Sequence, residues 1–279
     1  MKIMLFNLLS ILLIQGLISE SLHAKKMDSS YLESSMTLEI NEEVKGRVHD
    51  LTPYLLPRDH YLRSILDTIF SNPAALKNKK SFSRARFTTI ALRKKKGSLR
   101  VARHPSAPGY LFKLYLKNET EKSSDEVEQA LIQRCVMAKR VGDLIRQQGI
   151  RHITVPEKWL YEVQGQTKSH ERTFVLVVRD MQLFQYKGSV KAWKKVATEE
   201  HLHELYAILS RGHTSIALAQ NIPYTKSNTF SCIDTEFAER NFRLTRAKRY
   251  FSKRMKKYWM KLIVDHKFKK KNRKKIEKK

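Results

Sequence analysis

Asn221-Ile222-Pro223-Tyr224-Thr225, followed by Phe230-Ser231-Cys232-Ile233-Asp234-Thr235-Glu236, is the stretch whose reading decides the fold. An amide and a carboxylate, Asn221 and Asp234, stand thirteen positions apart. Between them Lys226-Ser227-Asn228 is turn-forming, and the apolar run that ends at Asp234 reads as a short strand. A strand–turn–strand unit of this kind brings an Asn and an Asp side by side. Both offer hard oxygen ligands, the kind Mg²⁺ takes when it rides on phosphates. Glu236 adds a second carboxylate two residues on.

Upstream of this segment the pattern alternates between sheet and helix. Leu62, Ile65, Leu66, Ile69 and Phe70 recur at helical spacing and stop at Asn72-Pro73. Three strands are expected at Phe87–Leu92, Leu99–Ala102 and Tyr110–Leu116. The turns between them are Lys94-Lys95-Lys96-Gly97-Ser98 and Pro105–Gly109. Together these make an antiparallel meander. Ser123 and Glu126 form a capping box that opens a long helix ending at Gly149. Strands follow at Ile153–Val163, interrupted by Pro156, and at Thr173–Val178, with a polar hairpin loop between them. Thr198 caps a further helix that runs to Leu209, and a last amphipathic helix is expected from about Phe237 to Ile263.

The order strand, strand, strand, helix, strand, strand, linker, helix, oxygen-ligand loop resembles the protein-kinase-like superfamily over roughly Phe87–Glu236. The ending Ile233-Asp234-Thr235-Glu236 looks like that of the small-molecule kinases in this group. The resemblance implies an α+β fold in two parts. Residues 51–181 would be the small lobe, an antiparallel sheet plus one long helix with a preceding helix. Residues 182–264 would be a reduced, mainly helical C-terminal lobe. It further implies that Lys113, in the middle of the third strand, touches the phosphates of ATP, and that Glu128 on the long helix pairs with it. Asn221 and Asp234, with Glu236, would hold Mg²⁺, and the backbone of Val177–Met181 would meet the adenine.

Two parts of the resemblance are missing. The phosphate-covering loop holds one glycine, Gly97, among three lysines, so the close backbone approach that glycine permits is lost. The catalytic aspartate should stand five residues before Asn221, where the chain has Ile216. No Asp or Glu occurs from Leu205 to Gln220, and His213, eight residues before Asn221, is a poor substitute base. Only 43 residues follow Glu236, too few for the machinery that binds a peptide substrate. The expectation is a degenerate kinase-like protein that binds a nucleotide–Mg²⁺ complex without efficient phosphotransfer.

Charge points to a second class of function. Of a net charge of +28, the last 41 residues carry 19 Lys/Arg against 3 Asp/Glu. Within them Phe251, Met255, Tyr258, Trp259, Leu262 and Ile263 form an apolar stripe expected to pack on the body. Lys267–Lys279 reads as a disordered, Lys-rich tail, the last part of a basic segment covering 265–279. Such a tail suits an anionic membrane, a nucleic acid or an acidic protein partner. The alternative function is therefore a secreted basic binding protein.

At the other end, Lys2, the apolar run Ile3–Ile18 and a cut after Ala24 make a signal peptide (residues 1–24), followed by a polar linker over 25–50. The competing readings are an uncleaved anchor, for which sixteen interrupted residues are short, and a buried helix. Export permits disulfides, yet Cys135 and Cys232 each sit in an apolar context and read as buried free thiols. His201 and His203 are two apart on a helix and face different sides, which argues against a metal pair. The chain holds no nucleophile elbow, P-loop or Cys–His cluster.

Overall fold

The computed structural model describes residues 50–91, 99–163, 173–235 and 243–276, with side chains as far as His266. The expected signal peptide, nearly all of the expected linker, the Gly97 turn, the segment 164–172 read as a hairpin loop and Glu236 lie outside the described residues. The molecule is mixed α+β. Helix α1 spans Leu62–Ile69, and a short α2 spans Lys79–Arg84. Strands β1 (Thr88–Ala91), β2 (Arg100–Arg103) and β3 (Tyr110–Leu114) pair as the expected antiparallel meander. Helix α3 runs from Ser124 to Gln148.

After α3 come β4 (Ile153–Thr154), β5 (Lys158–Glu162) and β6 (Phe174–Arg179). The segment read as one interrupted strand is two strands in different sheets. Pro156 has no N–H to give a ladder, and the chain changes partner there. β6 pairs antiparallel with both β3 and β5, giving the five-stranded order β1-β2-β3-β6-β5. β4 instead lies parallel to β7 (Phe230–Ser231) in a separate two-stranded sheet. Between β6 and β7 stand α4 (Tyr186–Lys195), α5 (Glu199–Leu209) and a single turn, α6 (Leu218–Asn221). The chain closes with a 3₁₀ segment, Leu244–Tyr250, and α7 (Lys253–Ile276).

Local chemistry accounts for the strongest elements. The Ser123 hydroxyl accepts from the Glu126 N–H, and the Glu126 carboxylate accepts from the Ser123 N–H, so both ends of the capping box are made. Gly149 closes α3 at φ 62°, a left-handed conformation that costs glycine little. β6 is buried on both faces because helices cover both sides of the sheet there.

Two cores result. The first lies under α1 and α2, where Phe70, Phe82, Phe87, Phe112 and Tyr161 meet Val175 and Val177. Phe82 and Phe87 stack at 4.4 Å, and Phe112 meets Phe87 edge-on. The second joins the C-terminal half of α3 to α4, α5, β7 and α7. Trp193 stacks on Phe230 at 3.7 Å, and its indole N–H donates to the Ile222 carbonyl. At 25 residues α3 is about 37 Å long, enough to serve both cores.

Three expectations are corrected. Asn221 ends a short helix rather than lying in a strand, although the residues after it still meet the later run through the Tyr224–Phe230 bridge and the bonds from Ser231 and Ile233 to Pro223 and Asn221. The last helix starts at Lys253, not at Phe237, because the preceding Leu244–Tyr250 is wound as 3₁₀. The Lys-rich segment expected to be disordered from Lys267 is helical as far as Ile276. The packed half of α7, with Met255, Trp259, Leu262 and Ile263 buried, has already met the cost of nucleation, so the lysines extend an existing helix.

Candidate functional site

Strand alternation assigns the polar residues of the sheet to one face. Phe112 and Leu114 point into the α1 core, so Lys113 between them points toward α3. On β5, Trp159, Tyr161 and Val163 face the α1 core, which turns Lys158 to the α3 side as well. Both lysines are buried, at 8% exposure each. They meet at one atom: the Nζ of Lys113 and the Nζ of Lys158 each donate to the carbonyl oxygen of Ile233, both at 3.1 Å. Ile233 is the residue immediately before Asp234.

Lys158 makes a second bond, to the Thr235 hydroxyl at 2.6 Å, and that hydroxyl donates to the Arg134 carbonyl at 2.8 Å. Burial drives the Lys158 ammonium strongly toward its neutral form, and the charge of Lys113 pushes in the same direction; Asp234 opposes them. Arg134, on the sheet-facing side of α3, forms an ion pair with Asp234 at 3.4 Å. The Asp234 carbonyl accepts from the Thr214 hydroxyl at 2.8 Å, which ties the loop to the segment after α5.

Asn221 arrives from the other side. Its carbonyl accepts from the Ile233 N–H at 3.0 Å, and its side-chain amide donates to the Ser215 hydroxyl. The structure thus brings Lys113, Asn221 and Asp234 to one three-residue segment, Ile233–Thr235. Glu128 is half-buried near the start of α3, and the ion pair from this helix to the loop is made by Arg134. Ile216 is partly buried against the second core, where a side chain of its type belongs. The linker after β6 is stitched down: Asp180 accepts from Arg103 at 2.7 Å and from the Gln182 N–H, and Phe184 N–H donates to Tyr224.

His213 is fully buried beside Thr214, and neither ring nitrogen has a hydrogen-bond partner among the described residues. Burial lowers its pKa to about 4, helped by the nearby Arg211 and Arg140 charges. It is a neutral imidazole at neutral pH. Cys135 and Cys232 are buried free thiols, both pushed up to about 12 by burial, and are therefore unreactive.

Mg²⁺ and ATP are the groups the resemblance implies, and the donor set can be tested against them. Asp234 faces Arg134, and the described charges near it are Lys113, Lys158 and Arg134. A divalent cation at Asp234 has to compete with a guanidinium. A phosphate oxygen meets complementary charge from Lys113 and Arg134. The residues fit the anionic part of a nucleotide better than its metal.

Lys158 and Arg134 were not singled out from the chain. Lys158 had a signal: it is out of phase with Trp159, Tyr161 and Val163, which alternate as one apolar face. Arg134 had a weaker one, a basic residue next to Cys135 in the apolar stripe of α3. Comparison with protein-family models and with curated proteins finds no match to this chain.

Proposed function

We propose that the chain is an exported, degenerate protein-kinase-like protein that binds the phosphates of a nucleotide and does not transfer them. The observation that carries this is the convergence of Lys113, Arg134 and Lys158 on the Ile233–Thr235 segment, beneath a sheet of order β1-β2-β3-β6-β5. Lys113 supplies the phosphate contact, and Arg134 a second cation held in place by Asp234. Transfer is absent because Ile216 occupies the place of the base, and the one nearby titratable ring, His213, is shut away from solvent.

The direct test is a thermal-shift titration with ATP and ADP, with and without Mg²⁺. Stabilisation that is lost in Lys113→Met is the expected outcome. No shift with either nucleotide overturns the proposal, and a phosphotransfer rate abolished by Asp234→Ala overturns its pseudoenzyme part. Export is tested separately, by sequencing the N-terminus of the mature protein for a start at Lys25.

The second reading, a basic binding protein, is favoured by α7 itself. The helix carries 12 Lys/Arg and one acidic residue, Asp265, along about 36 Å. Its apolar stripe is spent on the second core, so the described helix has no long apolar face left for a bilayer, and none among the described residues is long and apolar enough to cross one. Polyanion binding by this helix is electrostatic and weakens steeply with salt. Retention on heparin that survives removal of residues 267–279 overturns the role of the extension.

A further inference from the structure

We propose that His152, Glu200 and Glu204 form a site for a divalent transition-metal ion of the zinc class, independent of the nucleotide reading. Glu200 and Glu204 are four residues apart on α5 and so share a face; His152 immediately precedes β4. One ligand atom from each residue lies within 4.8 Å of the other two. Two carboxylates converging on one imidazole stand out in a chain of net charge +28.

The local hydrogen bonds prepare the imidazole as a ligand. Glu204 is buried and accepts from the backbone N–H groups of Arg151 and His152, at 2.9 and 3.0 Å. The two N–H donors fix this carboxylate beside the ring. The same carboxylate lies 3.0 Å from His152 Nδ1, a position that the Nδ1–H tautomer fills as donor. That tautomer leaves the lone pair on Nε2, which faces the Glu200 carboxylate at 3.9 Å, too far for a hydrogen bond. A cation placed between the lone pair and the carboxylate satisfies both.

A carboxylate that orients a histidine while the far nitrogen binds metal is the usual support of an imidazole ligand. The remaining requirement is modest movement. Zinc takes nitrogen and oxygen donors at about 2.0–2.2 Å, and Glu200, whose side chain is 64% exposed, is free to close on the ion. Glu204, engaged at Nδ1 on the other side of the ring, orients the imidazole, and water completes the shell beside Nε2 and Glu200. His201 packs against His152 at 4.3 Å with the rings tilted by 37°, and its own Nδ1 is engaged by the Thr198 hydroxyl. An imidazole nitrogen with one carboxylate oxygen and water suits Zn²⁺ over Mg²⁺, which prefers all-oxygen ligands.

The site has a structural consequence. The His152 carbonyl accepts from the Phe230 N–H, so an ion here joins α5 to the β4–β7 pair, the strand that runs on to Asp234.

Isothermal titration of the metal-free full-length protein with Zn²⁺ tests the proposal. One equivalent is expected to bind, with a rise in Tm. Glu200→Gln, which changes an exposed side chain, should weaken binding at least tenfold, and Glu199→Gln, one position round the helix, should leave it unchanged. His152→Gln should abolish binding, with circular dichroism showing that the helices are retained. Absence of stoichiometric binding to the unaltered protein overturns the proposal, as does an unchanged Kd in Glu200→Gln.

Discussion

The two faces of the five-stranded sheet are made by neighbouring residues and do opposite things. Phe112, Leu114, Tyr161, Val175 and Val177 bury an apolar surface beneath α1. Lys113 and Lys158, one position out of phase, bury amines beneath α3. The first face stabilises through area and close packing. The second takes amines out of water and offsets that through bonds to Ile233 and Thr235, a poor way to gain stability. Buried charge kept at a net cost is the reason the proposed function is placed on the second face.

The largest effect should come from the apolar face. Phe112→Ala is expected to cost about 3–5 kcal/mol, measured by urea denaturation, because Phe112 is fully buried against Phe87. If the loss is under about 1 kcal/mol, this face does not carry the stability assigned to it.

Next is the acid response. His213 has a folded pKa of about 4 against an ordinary value of 6.5, so the unfolded chain binds the extra proton between those values. Stability is full above pH 6.5 and falls as pH drops through the window to about 4, by on the order of 3 kcal/mol in all. His213→Leu should flatten the curve over that window. A profile that is the same in both proteins would show that His213 is not the group responsible.

Lys158→Met sharpens the contrast between the faces. Ile233 keeps its bond from Lys113 and Thr235 keeps its bond to Arg134, so the expected cost is below about 1.5 kcal/mol for a swap of similar volume. Lys158→Ala should cost more, about 2 kcal/mol or above, through the cavity. Equal losses in both variants would mean that the amine, and not the packing, holds the loop.

The smallest effect belongs to exposed charge. A double-mutant cycle on Arg103 and Asp180 should return under about 1 kcal/mol, since Arg103 is 56% exposed. A larger coupling would move the linker after β6 into the structural core.

Much of the sheet lobe was legible because its signals are local. Helical spacing marks α1, a capping box and Gly149 bracket α3, and alternation with turn residues marks the meander. Elements without such signals were missed: α2 is six residues long, and α4 has no side-chain cap and only part of an apolar stripe. The candidate site was legible only in part. Lys113 could be found because it interrupts an apolar strand, whereas Lys158 stands at the edge of its strand and reads as a solvated residue. The group of His152, Glu200 and Glu204 spans 52 residues of sequence, and no spacing rule joins a residue before β4 to a helix turn that far away.

By itself the sequence determined the mixed composition, the antiparallel meander, the buried thiols and the concentration of positive charge toward the last helix. These follow from residue type and short-range periodicity, which act within one turn or one strand. Only the tertiary structure decided that Arg134 faces Asp234, that two lysines share the Ile233 carbonyl, and that His152 meets the acidic face of α5. Those partners are set by how strands pair and how α3 crosses the sheet, and both depend on contacts between segments far apart in the chain.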